Sequence, residues 1–270
     1  AGGVALLLRA IPGNPEAARR SSLVELLEEG GRRRDDRAQH RQPLPPPPPQ
    51  EAWVSPLRQA CPIREPALQR HLAALLANLE QRRQRVKIHA TNFGPRYRRD
   101  VYGNRVDPTP TVVVLHETVY GLESALNTFQ TAHPNDADQV SYHTLIGQDG
   151  RVVDTVPPTM RAFGAGYSAF AGRWVKTSRK VNGSINNFAL HLSLESPLDG
   201  ENEAPSHSGY TSAQYDAMAV VLADWLRRYP IAVEAITTHR HVDLGRERAD
   251  PRSFDWSKLR RRLAALGVIC

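Results

Sequence analysis

No apolar run in this 270-residue chain approaches the roughly 18 residues that a helical bilayer crossing needs; the longest early stretch, Val4 to Leu8, ends far short. Cysteine is nearly missing. Cys61 and Cys270 are the only two, without metal-ligand spacing, which excludes a cysteine zinc clip and a disulfide-built scaffold. One bridge between them would suit an oxidising compartment, and two free thiols suit the sequence equally. Gly (18) and Pro (21) are too few for a collagen-like or wholly disordered chain. No glycine-rich phosphate loop and no zinc-finger spacing occurs.

What is present is a net charge of +7, unevenly placed. Residues 1–107 hold 19 Lys and Arg against 11 Asp and Glu, whereas 108–270 hold 16 against 17. The basic character belongs to the first part and suits an anionic wall or lipid surface at least as well as nucleic acid. No nucleic-acid partner is expected.

Three zones follow from composition. Residues 1–50, with the block Arg32-Arg33-Arg34-Asp35-Asp36-Arg37 and the run Pro45 to Pro49, read as a flexible basic arm ending in a stiff spacer, with a short amphipathic helix over Leu23 to Glu28 allowed. Residues 51–108 read as a connecting segment. Its helix starts at Pro66 and runs to about Arg85, with Leu68, Leu72, Leu75, Leu76 and Leu79 as a packing stripe.

Residues 109–270 alternate strand and helix signals, predicting a mixed central β-sheet flanked by helices, an α/β domain. Strands are expected at Thr111–Leu115, Ser141–Ile146, Arg151–Val156, Phe188–Leu194 and Ile231–Thr238, with Asp149-Gly150 as a hairpin turn. Helices are expected at Leu122–Thr131, after the capping box Thr211-Ser-Ala-Gln214, and at Trp256–Leu266.

His116 and His239 each follow an apolar strand, and Asp250 comes eleven residues after His239. Two imidazoles and a carboxylate are donors that a catalytic zinc takes, with a fourth position left for water. A competing pattern, His239-Arg-His241-Val-Asp243, has the His-x-His-x-Asp shape of metallo-β-lactamase-like hydrolases, but Leu244 stands where that pattern continues with histidine.

Four blocks carry a resemblance. Val112-Val-Val-Leu-His116-Glu-Thr118, Ser141-Tyr-His143 through Gly150, Asn186-Asn-Phe-Ala-Leu-His-Leu-Ser-Leu-Glu195, and Thr238-His239 through Asp250-Pro251 stand in the order found in type 2 zinc-dependent N-acetylmuramoyl-L-alanine amidases. That family is related to phage-lysozyme amidases and peptidoglycan-recognition proteins. The resemblance implies that fold, Zn2+ held by His116, His239 and Asp250, and peptidoglycan or muropeptides as partner, cut between N-acetylmuramic acid and L-alanine. It places the work in the periplasm, the cell envelope or outside the cell. Relatives that only bind peptidoglycan leave a non-catalytic module as the alternative.

Departures from the family pattern fall on the residues around the metal. Ser193 stands where many members carry a glutamate base, so Glu195, two residues on and on the same face, is the expected base, with Glu117 second. Arg248 matches a family lysine and is expected to hold the oxyanion. His143 is expected to line the substrate site, with a supporting or structural role as its alternative. His191 reads as a core residue and Tyr142 as packing. His133 and His207 read as solvated, and Gly164 stands where many members have a histidine.

Overall fold

The computed structural model describes residues 42–58 and 65–269. The arm's first 41 residues, the helix expected at Leu23 to Glu28, and both cysteines lie outside them.

The strand signals assemble into one six-stranded sheet. In chain order the elements are α1 (Pro66–Ala77), α2 (Leu79–Arg82), β1 (Arg83–Arg85), β2 (Phe93–Pro95), β3 (Val112–Glu117), α3 (Leu122–Gln130), β4 (Thr144–Ile146), β5 (Val152–Asp154), β6 (Met160–Ala162), β7 (Ala189–Leu194), α4 (Ser212–Arg228), β8 (Ile236–Thr238), α5 (His239–Val242) and α6 (Trp256–Ala265). The sheet order is β1-β5-β4-β7-β3-β8, parallel except for the β4–β5 hairpin, while β2 and β6 pair separately. This is the mixed sheet with flanking helices that the alternating pattern implies.

Every residue of β3 and β7 is buried, as befits central parallel strands covered on both faces. One face presents Val113, Leu115, Leu190, Leu192 and Ile236 to the core shared with α1, α4 and α6. The opposite face meets Leu122, Leu126 and Phe129 of α3 beside Leu145 and Val153, and carries Val112, Val114 and Ala189 toward the 165–188 loop. Because side chains alternate, His116, His191 and Ser193 fall on this second face.

The turn and cap signals hold in detail. Gly150 takes the positive φ of 82° that the hairpin turn requires, and Thr211 and Gln214 make both bonds of a capping box. Several elements differ in extent from expectation: of the strands expected at Ser141–Ile146 and Arg151–Val156, only Thr144–Ile146 and Val152–Asp154 form. The helix from Pro66 stops at Ala77, resumes for one turn, and gives way to β1, which extends the sheet beside β5. There Arg83 is drawn inward, its Nη1 lying 2.9 Å from both oxygens of Asp154 and its Nη2 3.0 Å from Asp224. The strand expected over Ile231–Thr238 is confined to β8, preceded by a single 3-10 turn at Val233–Ala235, because β8 is an edge of the sheet among the described residues and pairs there with Val113, Val114 and Leu115.

At the described end of the proline-rich segment, the Pro45 carbonyl accepts from Trp174 Nε1 at 2.9 Å. Gln50 Nε2 donates to the carbonyls of Ala169 and His241.

Candidate metal centre

The two parallel neighbours β3 and β8 end on the same side of the sheet, the side where open α/β sheets place ligands. His116 is the fifth residue of β3, and His239 opens α5 directly after β8. The following loop returns Asp250 between them. Its Oδ2 lies 3.2 Å from His116 Nδ1, and its Oδ1 lies 2.9 Å from His239 Nδ1. The two imidazole rings are 4.6 Å apart, and one potential ligand atom from each of the three residues lies within 4.8 Å of the others.

Burial sets the charge states. His116 is wholly buried, which pushes its pKa down to about 4 despite the hydrogen bond it makes to Asp250, so the ring is neutral at neutral pH with a lone pair to offer. Burial opposes ionisation of Asp250, but the charge of His239 and the hydrogen bonds from both rings outweigh it and hold the carboxyl well below the usual range. The Asp250 and His239 side chains are 13% and 11% exposed, the opening through which the cluster meets solvent. Two nitrogen donors and an ionised oxygen, converging and partly open, fit a divalent metal ion.

The loop that delivers Asp250 is fixed at both ends. Asp243 Oδ2 accepts the backbone N–H groups of Glu247 and Arg248 at 2.7 and 2.9 Å, and Arg240 N–H donates to the Asp250 carbonyl at 3.0 Å. Beyond Asp250, Arg252 is buried and bonds Glu117 through its Nε and, at 3.2 Å, its backbone N–H. Asp243 is therefore a loop organiser. His241 packs 4.7 Å from the Trp53 ring, outside the cluster, which disposes of the His-x-His-x-Asp alternative.

The expected catalytic carboxylates are elsewhere engaged. Glu195 Oε1 accepts the N–H of Leu122, the first residue of α3, and Oε2 accepts the N–H of Gln148, both at 2.8 Å. The geometry gives Glu195 a capping role, because free N–H groups at a helix start attract a carboxylate. Glu117 also accepts from the Tyr210 hydroxyl and lies 3.0 Å from His207 Nε2, so its oxygens are consumed as well.

Arg248 is exposed, two residues before Asp250, and its charge is felt at His116 and Tyr142. His143, expected at the substrate, is 1% exposed. It accepts the backbone N–H of His191 at Nδ1 (2.9 Å), with Nε2 3.2 Å from the Met160 carbonyl. These bonds tie the start of β4 to β7.

Four residues proved closer to the centre, or better partnered, than the sequence suggested. Tyr142 stacks on His116 at 4.4 Å, and burial with the nearby charge of Asp250 raises its pKa, keeping the phenol protonated. His191 lies 3.0 Å from His116 and is fully buried. The His207 side chain is buried against Glu117 instead of solvated. His133 Nδ1 lies 3.0 Å from Asn92 Oδ1. Alternation could have placed His191, two residues before Ser193 on the same face; the other contacts join segments remote in sequence.

Comparison with known proteins gives a consistent picture. The family described as N-acetylmuramoyl-L-alanine amidase (Amidase_2) matches residues 103–253. The 1,6-anhydro-N-acetylmuramyl-L-alanine amidase AmpD of Citrobacter freundii is 32% identical over 133 residues, covering 48% of this chain and 62% of AmpD. That of Escherichia coli K12 is 31% identical over 133 residues, 48% of this chain and 63% of its own. The chain thus spans less than two thirds of the length of these relatives. The crystal structure of a selenomethionine AmpD derivative superposes with a TM-score of 0.51 at 26% identity, over 67% of this chain and 94% of AmpD.

Proposed function

Since this chain belongs to the N-acetylmuramoyl-L-alanine amidase family, we propose that it hydrolyses the amide joining N-acetylmuramic acid to L-alanine, in peptidoglycan or in soluble muropeptides, with zinc at His116, His239 and Asp250. The observation that carries the proposal is the convergence of those three side chains at the strand ends. Zinc bound there would supply a Lewis acid for the scissile carbonyl and a means of activating water near neutral pH.

The chain's own groups divide the remaining work. Asp250 contributes the negative charge, and the two imidazoles contribute lone pairs. Tyr142 keeps its phenolic proton and has an O–H to donate beside His116. Arg248, always cationic, supplies positive charge from the loop for a developing oxyanion. The substrate arrives from the side on which Asp250 is exposed, and the work belongs to the periplasm, the envelope or the medium outside the cell. The names of the AmpD relatives specify a 1,6-anhydro sugar, which makes anhydromuramyl peptides the first substrates to offer.

A second reading, a module that binds muropeptide without cutting it, draws support from one observation: the carboxylates of Glu195 and Glu117 are both occupied. Mass spectrometry of an anhydromuramyl peptide after incubation with the zinc-loaded protein separates the two. Amidase activity yields the free sugar and a peptide beginning at L-alanine, and a chelator stops it. Intact ligand that nevertheless co-elutes with the protein would leave the binding module.

A further inference from the structure

His191 stands directly behind His116, its Nδ1 3.0 Å from His116 Nε2. A neutral imidazole carries one N–H and one lone pair. His116 turns Nδ1 toward Asp250 and His239, so coordination through that atom requires the proton on Nε2, and Nε2 then needs an acceptor. The atom placed to accept is His191 Nδ1.

The rest of the His191 environment serves this contact poorly as packing and well as a support. Its Nε2 is buried with no hydrogen-bond partner among the described residues, an arrangement that an apolar side chain on β7 would avoid. Its backbone is pinned by the N–H bond to His143 Nδ1, and the two rings lie parallel, 8° apart. Gly164 makes room for the ring: a Cβ at 164 would stand 2.4 Å from His191 Nδ1 and 2.5 Å from its Cγ.

Building on the metal reading above, we infer that His191 is a positioning residue of the metal centre: it accepts the Nε2–H of His116 and so holds that ring in the tautomer whose Nδ1 is free to coordinate. In metal-free protein the acceptor beside His116 Nδ1 is the Asp250 carboxylate, so the proton sits on Nδ1 and His191 donates from its own Nδ1. Loading reverses both rings. Each keeps one proton, and the unpartnered Nε2 of His191 becomes the protonated atom.

Long-range 1H–15N NMR of the native protein, recorded with and without Zn2+, reads this directly. The expected result is a change of His191 from the Nδ1–H to the Nε2–H form on adding zinc, although it does not touch the metal. Chelator competition for zinc provides the second arm. His191→Leu is expected to weaken affinity about 10–100-fold, and Gly164→Ala, which displaces the ring, weakens it likewise. His191→Asn, which restores an acceptor near the place of Nδ1, returns affinity toward the native value. Native-like zinc affinity in His191→Leu, or an unchanged His191 tautomer in zinc-loaded native protein, overturns the inference while leaving the metal site intact. A native protein that takes up no zinc overturns the metal reading and this one with it.

Discussion

Asp250 shows how much chemistry one side chain inherits from its neighbours. Burial alone would keep it protonated, yet two imidazoles facing its oxygens hold it ionised, which is the state a metal ligand needs. His116 and His239 were legible because an apolar run that ends on a polar residue marks a strand's exit from the core, and Asp250 through the resemblance of the 238–251 block to the family's closing loop. Glu195 was legible only in part. Alternation gave its face, but its reach was decided by the N–H groups of Leu122 and Gln148, 73 and 47 residues away in sequence. Glu195→Gln therefore has a clear expected outcome: a loss of about 1 kcal/mol in urea unfolding, from weakened capping, with kcat on muropeptide close to native. A fall in kcat of about 100-fold or more at unchanged stability would return Glu195 to the role of base.

At the level of the element, periodicity saw α1 but not its end. The leucine stripe runs on to Leu79, and what stops the helix is the open edge of β5, which β1 covers, together with the pull of Asp154 and Asp224 on Arg83. The Arg83 side chain is 6% exposed, so Arg83→Met leaves the buried Asp224 and the half-buried Asp154 short of a partner. Its expected cost is about 3 kcal/mol by chemical denaturation, partly recovered in the double variant Arg83→Met with Asp224→Leu; a cost under about 1 kcal/mol would reduce the cluster to a surface pair.

Helix α6 offers a pH test. Asp255 accepts from the N–H groups of Ser257 and Lys258, and hydrogen bonding to Ser257 lowers its pKa in the folded state. A lowered carboxyl stabilises the fold above its unfolded pKa and ceases to do so as pH falls through the folded one. Asp255→Ala should accordingly cost about 1 kcal/mol near pH 7, with the gap closing below about pH 4. A gap of constant size from pH 7 down to pH 2 would contradict the cap.

Across the whole unit of residues 43–270, the two sheet faces divide the labour. One is closed by α1, α4 and α6 into an apolar core; the other carries a buried polar line from His143 through His191 to His116, which surfaces at Asp250. The alternation of strand and helix signals made the first face readable. The second was not, because its bonds join β3, β4, β7 and the 243–252 loop, and no local pattern encodes which of those segments meet. The Glu117–Arg252 pair closes the arrangement by tying the end of β3 to the chain just past Asp250.

In the proposed function His116, His239 and Asp250 act as one grip on the metal. Native mass spectrometry after adding one equivalent of zinc tests it most directly. One zinc per native chain is expected, with none retained by His116→Ala, His239→Ala or Asp250→Ala. Zinc held equally by the native chain and all three variants would contradict it.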